Sequence, residues 1–123
     1  MATITVAVGD PPYGAERVYT ALRFALVAIH DGHHVNLFVF EDAVGALKRG
    51  QKPPEMPLPS GDRMPNCEAL VRAGMAEGMK VKACGVCSAE RALSKDELIE
   101  GAEVATMRDL LQWVLESDRA VFF

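Results

Sequence analysis

The chain has 123 residues, a formal net charge of −4 and a half share of hydrophobic residues. That composition supports one domain with its own core, spanning residues 1–123. It excludes a basic nucleic-acid binder, since no cationic run stands out. It also excludes a spanning membrane protein, since no apolar run approaches the roughly 18–20 residues a bilayer needs. The first residues carry neither the basic nor the apolar region of a signal peptide, so a cytoplasmic protein is expected. Three cysteines are too few, and odd in number, for a disulfide framework, so free thiols in a reducing compartment are expected.

Residues 3–8 read as a β-strand, with Ile4, Val6 and Val8 on one face. Residues 9–14, Gly-Asp-Pro-Pro-Tyr-Gly, break it. Residues 15–31 then show helical spacing, with Val18, Leu22, Ala25, Leu26 and Ile29 aligned, and Gly32 supplies the stop. A second strand is expected over 35–40 and a short helix over 41–48. Residues 49–65 hold five of the seven prolines and read as a surface loop, long enough to shape a nearby site. A helix over 67–77 turns Leu70, Val71 and Met75 inward, and a third strand covers 81–83.

Ser94-x-x-Glu97 and Thr106-x-x-Asp109 both read as capping boxes. The first opens a short helix expected to end near Gly101. The second opens the last helix, whose apolar face is Met107, Leu110, Leu111, Val114 and Leu115. Brief strands are expected over 103–105 and 119–123. Strands alternating with helices imply an α/β fold of three layers: an open, mainly parallel five-stranded sheet with helices on both faces.

The chemistry concentrates in residues 80–91, where a short strand runs into Cys84-Gly-Val-Cys87 and then a helix. A thiol at such a junction meets unpaired backbone N–H groups, which favour the thiolate. A structural zinc site would need about four ligands, but there is one cysteine pair and the histidines lie far off at 30, 33 and 34, so no metal is expected. The Cys-Gly-x-Cys pattern is close to a thioredoxin dithiol. That fold also places a cis-proline after the motif, and no proline follows Pro65 here. A sulfur-carrying thiolate, a redox dithiol on another fold, and two small buried cysteines remain as readings. Cys67, beside Leu70 and Val71, reads as a core residue, and Asp31 to His34 as a turn.

Gly9 and Gly14 have the spacing of a phosphate loop, but Ala15-Glu16 replaces the Lys-Ser/Thr that phosphate binding needs. Nucleotide hydrolysis is excluded. The loop still follows a parallel strand, where open α/β sheets build sites. Its Tyr13 either lines a pocket beside Cys84 or packs against the Pro-rich loop.

Taken in order, five segments resemble the DsrE/DsrF-like family of sulfur-relay proteins, which has TusD-like members. They are residues 9–14, Asp31-Gly32-His33, residues 83–87 followed by Arg91, residues 100–110, and residues 117–123. The resemblance implies the three-layer fold, homotrimers or hexamers, and a possible sulfurtransferase activity in which one cysteine carries persulfide sulfur. Alignment on Arg91 makes Cys84 that carrier, with Cys87 a second thiol that would resolve it by disulfide formation. Backbone N–H groups of residues 85–88 would stabilise the thiolate, so Gly85, Val86 and Ser88 join Arg91, Asp10 and Tyr13 as candidate binding residues. The implied partners are a sulfur donor protein, a cysteine desulfurase or rhodanese-like protein, and an acceptor carrier protein; no cofactor is implied. Ala92 stands where the family usually has glycine.

Overall fold

A computed structural model describes residues 1–54, 59 and 65–123. Of the expected Pro-rich loop over 49–65, residues 55–58 and 60–64 therefore lie outside the described residues. Five strands, β1 (Thr3–Val8), β2 (His34–Val39), β3 (Lys80–Cys84), β4 (Glu103–Ala105) and β5 (Arg119–Phe122), form one sheet in the order β4-β3-β2-β1-β5. Every pairing is parallel, with Val8 opposite Val39, Val39 opposite Ala83 and Cys84 opposite Ala105. Parallel strands need crossover connections, and helices supply them.

The strand period of two divides the core. Val6 and Val8, Leu37 and Val39, Val81 and Ala83 face one side, where they meet α1 (Arg17–His30), the 3-10 helix Glu41–Leu47 and α2 (Cys67–Ala76). Ala7, Phe38 and Cys84 face the other side, where α4 (Met107–Glu116) supplies Leu110 and Trp113. The Trp113 ring meets Phe38 edge-on at 6.3 Å, and the Lys82 ammonium lies 4.5 Å from the Trp113 ring centre. Thr5, the buried polar residue on this face, is satisfied by the Ser117 hydroxyl at 2.5 Å and donates to the Trp113 carbonyl at 3.3 Å.

The helix ends follow local chemistry. Both capping boxes form: Thr106 accepts from the Asp109 N–H while Asp109 takes the Thr106 N–H at 2.8 Å, and Ser94 pairs with Glu97 in the same way. The helix opened by Ser94 is a single 3-10 turn, Lys95–Glu97, shorter than expected. On α4 the expected apolar face is only partly used. Leu110 and Trp113 are buried, whereas Met107, Leu111 and Leu115 are more than half exposed. Trp113 takes the inward position, its ring edge-on to Phe38.

Candidate functional site

β3 delivers Cys84 to its C-terminal end, and α3 (Gly85–Glu90) starts at the next residue. Cys84 has strand-face neighbours Ala7 and Phe38 and is 4% exposed. One helical turn later, Cys87 sits half-buried at the seam, touching the cores of both sheet faces. The two thiols lie one helical turn apart and line the same groove. A groove of about 670 Å³ opens beside them, with Val86, Val104 and Met107 as apolar walls and Asp109 as its charged lining residue. The site thus lies beyond the ends of β3 and β4, away from the β1–β5 crevice where the strand order reverses.

The walls are closely fitted. A Cβ on Gly85 would stand 3.0 Å from Val104 Cγ1 and 3.4 Å from the Ala105 carbonyl, so glycine is what lets α3 start this close to β4. Ser88 is buried, and its hydroxyl donates to the Cys84 carbonyl at 2.8 Å. Its side chain therefore secures the strand-to-helix turn and is not presented to the groove. Arg91 joins two elements. Its guanidinium donates to Asp42 at 2.8 Å, and its Nη1 donates to the Cys87 carbonyl at 3.1 Å. That holds the 3-10 helix against α3. The Asp42 carboxylate raises the Arg91 pKa.

Glu41 is a participant that sequence reasoning missed. It opens the 3-10 helix with φ +49, the left-handed region that an L-residue other than glycine enters at a cost. Its backbone N–H is one of the groups that act on the Cys87 thiol. Burial pushes the Cys87 thiol up, the Glu41 N–H pulls it down, the adjacent Cys84 pushes it up again, and Arg91 pulls it down. The balance is upward, so Cys87 rests as the protonated thiol. Only the rule that sites form at C-terminal strand ends could have drawn attention to residues 41 and 42, which follow β2.

The other expected site residues sit elsewhere. Tyr13 donates to Gln51 at 2.7 Å and accepts the Cys67 N–H at 3.1 Å. It faces the start of α2 and the beginning of the Pro-rich segment, not the groove. Burial raises the Tyr13 hydroxyl despite the Cys67 N–H. Asp10 pairs with Arg17 at 4.0 Å. Cys67 is fully buried, contacts the Pro12 carbonyl at 3.4 Å and is pushed up by burial. All three cysteines are free, and the described residues contain no cluster of three or more His, Cys, Asp or Glu able to hold a metal. No helix among the described residues is long and apolar enough to cross a membrane.

The profile of the DsrE/DsrF-like family matches residues 2–123. The chain belongs to this family. It is 48% identical over 120 residues to an uncharacterized protein of Methanopyrus kandleri, covering 98% of this chain and 93% of that one. The crystal structure of the ychN protein from Escherichia coli superposes with a TM-score of 0.88 at 32% identity, over the full length of both chains. A sulfurtransferase TusD homolog of Vibrio vulnificus is 28% identical over 131 residues, covering 97% of this chain and 95% of its own. At the level of the DsrE/DsrF-like family, these relationships point to sulfur relay.

Proposed function

We propose that the chain accepts sulfur on Cys84, holds it as a persulfide and passes it to an acceptor thiol. The observation that carries this reading is the position of Cys84 at the β3–α3 junction, on a groove it shares with a protonated Cys87. The first backbone N–H groups of α3 have no partner within the helix, and Cys87 adds a thiol donor. Both favour negative charge on Cys84 sulfur as an S–S bond forms or breaks. In loading, the Cys84 thiolate attacks the outer sulfur of a donor persulfide, and the donor thiolate leaves with the electron pair. In unloading, an acceptor thiolate attacks the sulfur held on Cys84, and Cys84 leaves as thiolate. Neither step requires a cofactor.

The partners under this reading are a donor protein of the cysteine desulfurase or rhodanese-like class and an acceptor carrier protein, meeting the chain in the cytoplasm. Exposed Met107, Leu111 and Leu115 on α4, beside Val104 and Val86, support self-association into trimers or hexamers. The shared groove of the two thiols also supports a second reading, a reversible Cys84–Cys87 disulfide in thiol redox chemistry. Mass spectrometry after incubation with a persulfide donor decides. A gain of one sulfur that maps to Cys84 and that Cys67→Ser preserves is the expected result. A loss of two hydrogens, with no sulfur gained, would establish the redox reading, and neither change would leave a scaffold without sulfur chemistry.

A further inference from the structure

Cys84 is 4% exposed, while Cys87, one turn on, is the more open of the two thiols lining the groove. A donor carried on a larger molecule therefore meets Cys87 first. The Glu41 N–H, one of the groups that pull the Cys87 thiol down, stands on a backbone at φ +49, and Arg91 bridges from the Cys87 carbonyl to Asp42, fixing that 3-10 helix beside Cys87. An N–H aimed at a sulfur where charge develops is worth most in a partly dry site.

We propose that Cys87 is a second sulfur station, and that sulfane sulfur is exchanged between Cys87 and Cys84 inside the chain. This rests on the relay reading above. The Cys84 thiolate attacks the outer sulfur of Cys87–S–SH. A new S–S bond forms to Cys84, the S–S bond at Cys87 breaks, and the electron pair goes to the Cys87 sulfur. The outer sulfur keeps its proton, the Glu41 N–H faces the new thiolate, and Cys87 then takes a proton from water. Sulfur, charge and oxidation state all balance, so no oxidant or reductant is consumed. The reverse path releases the sulfur through the same transition state. Cys84 stores, and Cys87 exchanges with the outside.

The test uses the full chain and glutathione persulfide, with rapid quenching and mass spectrometry, followed by release to dithiothreitol. Cys87→Ser and Cys87→Ala, each checked for folding by circular dichroism, should both load and unload Cys84 at least ~10-fold more slowly than the parent, because the pre-positioned intramolecular step is lost. Cys84→Ser should still gain one sulfur, on Cys87, and lose it faster than the parent does. Rates in both Cys87 variants equal to the parent's would overturn the exchange while leaving the relay intact. A parent chain that takes up no sulfur would overturn the relay, and the exchange with it.

Discussion

Ala92 offers a measurable test of how α3 is closed. The helix ends in a Schellman arrangement: the Ala92 N–H donates to the Ala89 carbonyl at 3.1 Å, and the Leu93 N–H to the Ser88 carbonyl at 2.9 Å. This places Ala92 at φ +53. The same motif ends α1 at Gly32, φ +91, and α2 at Gly78, φ +98. Three helices therefore share one closure, and only α3 makes it with a side chain in the left-handed region. Ala92→Gly removes a steric cost of roughly 1–2 kcal/mol and gives back about 0.4–1 kcal/mol through the freer unfolded chain. The net expectation is a stabilisation of about 1 kcal/mol. With a urea slope of about 2 kcal/mol/M, the midpoint should rise by about 0.5 M. Gly32→Ala is the internal control and should lower the midpoint by a similar amount. If Ala92→Gly leaves the midpoint unchanged or lowers it while Gly32→Ala destabilises, the strain assigned to Ala92 is absent.

Trp113→Ala should cost about 3 kcal/mol or more in denaturant unfolding, since the ring covers Phe38 and carries Lys82; a loss under about 1 kcal/mol would show that α4 adds little to the fold. Burial alone would raise the Glu68 carboxyl, but the Gln51 N–H, Arg72 and the Gly50 N–H together hold it below its usual value of 4.5. Its stabilisation is therefore complete above about pH 4.5 and is lost as pH falls through the lower folded-state value. Glu68→Gln should be less stable than the parent at pH 7, with the gap closing in acid; a gap that persists well below pH 4 would contradict this linkage. Light scattering at micromolar concentration should report an oligomer for the parent and a monomer for Leu111→Glu/Leu115→Glu with unchanged circular dichroism. A monomeric parent would remove the role given to the exposed α4 stripe.

The strands were legible because their apolar residues alternate or run together, as in residues 3–8 and 80–84, and because glycine or a capping box punctuates most joins. The same patterns placed Cys84 between strand and helix. The Met107, Leu111 and Leu115 stripe misled because periodicity reports which side of a helix is apolar, not how wide a surface awaits it. Tyr13 was ambiguous since a loop residue can turn either way, and its partners Gln51 and Cys67 are distant in sequence. Glu41 carried no signal: its contribution is a backbone N–H, and nothing about a glutamate announces a positive φ. Asp42 and Arg91 are 49 positions apart, and charged surface residues of that kind have many alternative partners.

The sheet is clad unevenly, with three helical elements on one side and α4 on the side that carries Cys84. Cohesion and vocabulary are thereby kept on opposite sides of one wall. The thickly covered side can hold the chain together while the thin side is rewritten, because residues such as Val104, Met107 and Leu111 bury little within the chain itself. A gene copied from this one could acquire a new set of associates through a handful of surface changes around an unaltered thiol, with little risk to folding.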